Sequence, residues 1–310
     1  MGYIDSIRGR LGGRWSVLKE VWSHPINRGS RLLALRDYAL WNAVRFSMDA
    51  RHVVRLPEGL EIILGKKENY GSVVYTHFLS DYAELLFLAH CLRSGDLFAD
   101  VGANVGLYSV WVGGSTGARV VAFEPNPTTF LALNQNIRLN DLGALIEAHQ
   151  FAIGDVSGSV AMTAEFGGLD HVVDAQNHDG ADIEVIAKTL DEALGERAPF
   201  ALKIDVEGFE SHVLRGAKGV LQHPALKVIL IEIQNWTLQR FGTSEQEVLA
   251  LLRAFGFEVC KYDPFKRALT TSDASLGLNQ LLVRDGDRSA LSARLVEGRR
   301  IPLPGYPQGL

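Results

Sequence analysis

Apolar and polar positions change rhythm along this chain. In "SRLLALRDYALWNAVRFSM" (30–48), Leu32, Leu35, Leu40 and Val44 recur at helical spacing with Arg31, Arg36 and Arg45 elsewhere, which predicts an amphipathic helix. "LPEGLEIIL" and "GSVVYTHF" then read as short strands, and "DYAELLFLAHCL" (81–92) as a helix opened by Asp81. From residue 97 strands and helices alternate. Strands are predicted at 97–101, 118–124, 144–153, 200–205, 228–233, 257–263 and 279–284. Helices are predicted from 105, over 127–140, and at about 209–215 and 244–255.

That alternation predicts an α/β fold with a doubly wound, mostly parallel, seven-stranded sheet. The short link between the last two strands makes them an antiparallel edge pair. Between 154 and 190 the rhythm breaks: "GSVAMTAEF" and "DIEVIAKTL" flank the polar "GGLDHVVDAQNHDGA", as an inserted hairpin and loop would. The predicted organisation is an N-terminal helix and strand extension over 1–74, the main domain over 75–288 and an irregular tail over 289–310.

Composition narrows the class. Two cysteines in 310 residues, Cys91 and Cys260, offer neither a bridge framework nor metal-ligand spacing, so a reducing cytoplasm is the expected location. No run of eighteen apolar residues predicts a membrane span. Residues 1–60 hold ten Lys and Arg against five Asp and Glu, whereas the rest holds 21 against 31. The acidic body argues against nucleic acid as a partner. The basic N-terminal part could touch an anionic membrane surface or nucleic acid, or be a helix docked on protein with a solvated basic face, and a homo-oligomer stays open.

The densest motif is "FADVGANVGLYS" (98–109), at the end of an apolar run. A nucleotide P-loop needs a Lys after its last glycine, and none follows. A dinucleotide turn needs a glycine where Asn104 stands, because the diphosphate lies against the backbone there. What remains is Asp100-x-Gly102-x-Asn104-x-Gly106, with Glu124 at the next strand end. Asp100 suits a ligand ammonium, and Glu124 can accept both hydroxyls of a ribose. An amino acid joined to a nucleoside without phosphate describes S-adenosylmethionine.

With "AFEPNP" (122–127), "FAIGD" (151–155), "LKIDVEGFESHVLRGA" (202–217) and "VILIEI" (228–233), the chain resembles the FkbM-type methyltransferases, which have the Rossmann-like class I S-adenosylmethionine-dependent fold. The resemblance spans about residues 75–285. It implies that Asp100, Gly102, Asn104 and Gly106 line the methionine end, that Glu124 holds the ribose, and that Pro125 and Asn126 shape the turn. Ala152 and Ile153 would lie against adenine. It also implies hydroxyl acceptors on sugars, polysaccharides, lipids or polyketide-type molecules, making the small-molecule or glycan acceptor the expected partner.

Candidates for the chemistry come from the later strands. Asp205 and Glu207 close "LKIDVEG", Lys203 shares the face of Asp205 by strand alternation, Glu232 ends "VILIE", and His171 lies in the inserted segment. The stretch lacks the Asn/Asp-Pro-Pro-aromatic pattern of many amino-methylating enzymes, which favours an oxygen acceptor whose proton a base must take. Asp205 is the first choice for that base, with Glu207, Glu232 and His171 behind it. Lys203 either takes part or pairs with the acids. A divalent cation on Asp205, Glu207 and Glu232 is an alternative activator, but no complete ligand set is legible, so the site is read as metal-free. RNA or nitrogen methylation on the same fold, and a non-catalytic binding module, are the rival readings.

Overall fold

The computed structural model describes residues 18–19, 21–47, 51–65, 81–164, 170–173, 183–272 and 278–310. The described chain divides into two compact units, one within Met1–Tyr82 plus Arg300–Leu310 and one within Ala83–Arg299.

In the first unit the helix Arg31–Ser47 precedes an antiparallel hairpin of β1 (His52–Arg55) and β2 (Glu61–Leu64). The helix lies where its periodicity predicts, but its buried face is different. Ala34, Asp37 and Trp41 are buried, whereas Leu32 is 77% and Leu40 50% exposed. Positions 34, 37 and 41 form one stripe at helical spacing, and Leu32 lies opposite it. The alanine and tryptophan, not the leucines, therefore mark the inner face, and Trp41 meets His52 edge to face. Residues 300–310 form neither helix nor extended strand, but they are fixed: Tyr306 donates to the Pro25 carbonyl and Ser30 to that of Pro304. The predicted strand "GSVVYTHF" lies outside the described residues.

The second unit carries β3 (Leu97–Val101), β4 (Arg119–Phe123), β5 (Ile146–His149), β6 (Ala152–Gly154), β7 (Gly158–Met162), β8 (Ile183–Thr189), β9 (Ala201–Ile204), β10 (Val228–Glu232), β11 (Phe257–Asp263), β12 (Ala268–Thr271) and β13 (Asn279–Arg284). All but β6–β8 form one sheet in the order β12-β11-β13-β10-β9-β3-β4-β5. The central strands β10, β9, β3, β4 and β5 are parallel; β13 runs antiparallel to both β10 and β11. Both faces of β3 and β9 are buried, which is why "LFADV" and "ALKI" are nearly continuous apolar runs. Between β3 and β9 the winding reverses, and an open α/β sheet has its crevice at that point, beyond the carboxyl ends of the strands.

Three differences from the sequence reading have physical reasons. The predicted strand 144–153 is two strands, since β6 leaves the large sheet to pair with β8, and β8 pairs with β7 as the insertion's hairpin. Both halves alternate, so periodicity alone cannot show the change of partner. The large sheet gains an eighth strand, β12, which pairs only with β11 and is too short and polar to stand out. The stretch read as an irregular tail begins with a helix, Arg288–Val296, whose Leu291 and Leu295 are buried at i, i+4 spacing. Among the described residues no helix is long and apolar enough to cross a membrane.

Candidate active site

The turn after β3 is held by backbone. The Gly102 and Ala103 N–H groups both donate to the Phe123 carbonyl at 3.0 Å. Gly102 has φ +77°, and a Cβ there would run into the Asp205 carbonyl oxygen. The absent side chain thus lets the β3 turn lie directly on the β9 turn. Gly106, at φ +92°, starts the helix Leu107–Thr116, and a Cβ would stand 2.5 Å from Leu133 Cδ1. Asn104 is left-handed at φ 51°, a conformation asparagine tolerates, and its Oδ1 accepts from the Val105 N–H.

Glu124 follows β4 and is buried. Its Oε2 accepts from the Asn104 N–H at 3.0 Å and its Oε1 from the Asn126 N–H at 2.9 Å. Burial pushes its carboxyl up to about 7 despite these bonds. Each oxygen keeps a further lone pair, which suits the hydroxyls of a ribose. Pro125 is half-buried between Glu124 and Asn126. Asn126 caps the helix Pro127–Leu139 through the Thr128 and Thr129 N–H groups, and its Nδ2 donates to Asp170 of the insertion at 2.9 Å. Ala152 packs with Met162, Val185 and Ala187, and Ile153 belongs to the core of the large sheet.

Register places Asp100 opposite Lys203 across β3 and β9. The Lys203 Nζ lies 3.0 Å from Asp205 Oδ2 and 3.8 Å from Asp100 Oδ1, and 4.8 Å from the centre of the Tyr108 ring. Burial works against the ammonium, but Asp205 and Asp100 outweigh it, so Lys203 stays charged. Asp100 is fully buried; Ser109 Oγ donates to its Oδ2 at 2.6 Å, while Oδ1 has no hydrogen-bond partner among the described residues. An orphaned buried carboxylate oxygen is the kind of atom that a donor group, such as an ammonium, satisfies.

At the carboxyl ends of β9 and β10, Asp205, Glu207 and Glu232 each offer an oxygen within 4.8 Å of the others. Burial raises the Asp205 carboxyl, but Lys203 and a hydrogen bond from Glu232 outweigh it and hold it low. Burial and the Asp205 charge raise Glu232, which therefore carries the proton it shares with Asp205. Burial, with Asp205 and Glu210 nearby, pushes Glu207 up to about 8. Glu207 has φ 54°, and its carboxylate accepts no hydrogen bond from the described residues. The three oxygens suit a hard cation by chemistry, yet Lys203 already lies against Asp205 as the local positive charge.

The structure thus brings Asp205, Glu207, Glu232, Lys203 and Asp100 to one crevice, with the Gly102 turn packed against it. His171 does not join the three carboxylates. Its backbone N–H donates to Thr163 Oγ1 within the insertion, next to the Asp170 that reaches Asn126. Several members escape sequence reasoning. Ser109 pairs with Asp100, the Glu210 side chain accepts from the Gly208 N–H, and Gln234, Trp236 and Arg240 follow β10. The signal for the last group was the polar and aromatic "QNWTLQR" directly after an apolar strand.

Comparison with known proteins agrees with this architecture. A family model described as the methyltransferase FkbM domain matches residues 100–259. The chain is similar to the 31-O-demethyl-FK506 methyltransferase FkbM of Streptomyces tacrolimicus, at 28% identity over 253 residues, covering 70% of this chain and 93% of that one. It is also similar to the hexuronic acid methyltransferase AglP of Haloferax volcanii, at 30% identity over 158 residues, covering 51% of this chain and 61% of that one. A solved FkbM methyltransferase from Methylobacillus flagellatus is matched over 80% of this chain and 59% of that one, with 15% identity and a TM-score of 0.41. With its family region starting at Asp100 and running through the glycine turn and the carboxylate cluster to β11, the chain belongs to the FkbM methyltransferase family.

Proposed function

We propose that this methyltransferase transfers a methyl group to a hydroxyl of a sugar, polysaccharide, lipid or polyketide-type molecule, using S-adenosylmethionine. The observation that carries the reading is the cluster of Asp205, Glu207 and Glu232 beside the Gly102 turn. Bound S-adenosylmethionine would supply a methyl on a sulfonium, to be taken by the acceptor oxygen as S-adenosylhomocysteine leaves. Asp100 and the backbone of the β3 turn would hold its amino-acid end, and Glu124 its ribose. The names of two relatives, one acting on 31-O-demethyl-FK506 and one on hexuronic acid, support oxygen-rich acceptors.

The protein's own task is to position the hydroxyl and take its proton. Asp205, the first choice from sequence, is a weak base here because Lys203 and Glu232 both bond to its charged form. Glu207, raised to about 8 and without a hydrogen-bond donor among the described residues, is the better match to a proton that must leave near neutral pH. Asp205 then fixes Lys203 and Glu232, and Glu207 receives the proton.

Transfer of labelled methyl to a panel of alcohols, glycosides and amines tests the acceptor class. With an accepted alcohol, Glu207→Gln should lower turnover by about a hundredfold or more while cofactor affinity stays within a few-fold. Wild-type turnover should rise between pH 6 and 8 as Glu207 ionises. Full activity of Glu207→Gln with loss in Asp205→Asn would return the base to Asp205. Transfer to amines only would overturn the oxygen reading.

A further inference from the structure

The segment after β10 holds an exposed tryptophan in an unusually defined position. Trp236, in the short helix Asn235–Leu238, keeps 39% of its surface accessible. Its indole N–H donates to Gln234 Oε1 at 2.7 Å, and Gln234 Nε2 donates to Glu232 Oε1 at 2.7 Å. The orientation of the Gln234 amide follows from its partners. An indole N–H only donates, so the amide oxygen must face it, which leaves the amide nitrogen for the carboxyl. The Arg240 guanidinium lies 4.7 Å from the indole centre, and its Nη1 donates to the Glu207 carbonyl at 3.4 Å. Trp236 is therefore joined to the carboxylate cluster through Gln234 to the Glu232 carboxyl, and through Arg240 to the backbone of the Glu207 turn.

A partly accessible indole forgoes the stabilisation of full burial, and holding it by two polar contacts costs conformational entropy. Both expenses make sense for a surface prepared to receive a ligand. The neighbourhood says what kind. The aromatic face is apolar, while Gln234, Arg240, Glu207 and Glu232 around it are polar. A pyranose has that pattern, with faces of C–H groups and a rim of hydroxyls. A lipid chain has no use for the polar rim.

Resting on the methyl-transfer reading above, we propose that Trp236 is the platform on which the acceptor's sugar ring lies, with one ring hydroxyl directed at the Asp205–Glu207–Glu232 cluster. Gln234 is a positioning residue: it fixes the indole relative to Glu232 and thereby which hydroxyl is presented. Arg240 backs the indole and holds the Glu207 turn.

The test uses the full chain with S-adenosylhomocysteine bound and saturation-transfer NMR. The probes are methyl glycosides of glucose, mannose, galactose and rhamnose, with catechol and cyclohexanol as controls. At least one glycoside should receive saturation on its ring C–H protons. Trp236→Ala should weaken that glycoside's binding about tenfold or more, while Trp236→Phe, which keeps a flat apolar face, should stay within about threefold. Gln234→Leu should weaken glycoside binding and, with an accepted glycoside, raise KM more than it lowers kcat. S-adenosylhomocysteine affinity by calorimetry should stay within about twofold in each variant. Binding of none of the glycosides, preference for catechol, or full glycoside affinity in Trp236→Ala would each overturn the platform. Lack of S-adenosylhomocysteine affinity in the wild type would instead overturn the methyl-transfer reading on which it rests.

Discussion

The turns after β4 and β9 lie on one edge of the same sheet, yet they hold their carboxylates by opposite means. Glu124 is buried and accepts two backbone N–H groups, from Asn104 and Asn126, so its position is set by main chain. The β9 turn instead crowds Asp205, Glu207 and Glu232 together, with one ammonium against Asp205 and a shared proton between Asp205 and Glu232. The first arrangement can wait unchanged for a ligand of fixed shape. The second is electrostatically unsettled, and groups in that condition exchange protons readily. On the function proposed above, recognition and proton transfer would be built with different chemistry a few strands apart.

The sharpest way to break this contrast is to remove the ammonium. Lys203→Met leaves Asp100 and Asp205 buried without their counter-charge, and should destabilise the fold by about 3–5 kcal/mol in chemical denaturation. A loss below about 1 kcal/mol would mean that the two carboxyls are already neutral, and the contrast would collapse.

A smaller effect is expected where the two turns touch. Gly102→Ala puts a Cβ against the Asp205 carbonyl at a φ of +77°. Strain of that kind amounts to about 1–3 kcal/mol, and part of the response should be displacement of the β9 turn. Thermal unfolding would read the first, and a fall in turnover larger than the fall in cofactor affinity would read the second. Unchanged stability would show that the turns are not in contact.

The smallest effect is on the pH dependence of stability. Glu207, raised to about 8, and Glu124 and Glu210, each raised to about 7, hold protons in the folded state that the unfolded chain releases near its ordinary carboxylate pKa. Their contribution to stability is fully present below that value and is lost as pH rises through about 7 to 8. Asp205, held low, has the opposite sign, losing its contribution only in acid. Stability measured from pH 5 to 8 should therefore fall, and Glu207→Gln should flatten the upper part of the slope. A rising curve would contradict the burial of these groups as neutral acids.

Much of this was readable in the sequence where spacing and topology coincide. "DVGANVG" and the later strand ends had to meet at one edge once the sheet was parallel, and alternation alone put Lys203 on the Asp205 side. What could not be read depends on distance between elements remote in sequence. Nothing in "DVGANVG" says that Gly102 is small because Asp205 passes over it. Likewise Ser109 is an ordinary helical serine until the fold turns it toward Asp100. The proposal of Glu207 rather than Asp205 as the base has the same origin, since a carboxyl's proton affinity is set by neighbours, not by its place in a motif. The Leu32 and Leu40 error has another origin: a helix with leucines around much of its circumference does not reveal which stripe is covered.

Gly208 is the counterpart of Gly102 on the other side of the crevice: a Cβ there would stand 2.5 Å from the Thr237 carbonyl oxygen. The turns after β3, β9 and β10 are therefore stapled to one another through bare backbone at two glycines. A consequence follows for how this enzyme can be remodelled. With the frame fixed by main chain, side chains at positions such as 234 and 236 can be exchanged without moving the loops that carry them. A library confined to those two positions, with Gly102, Gly208, Glu207 and Arg240 left alone, should yield many folded proteins and vary chiefly in what they accept.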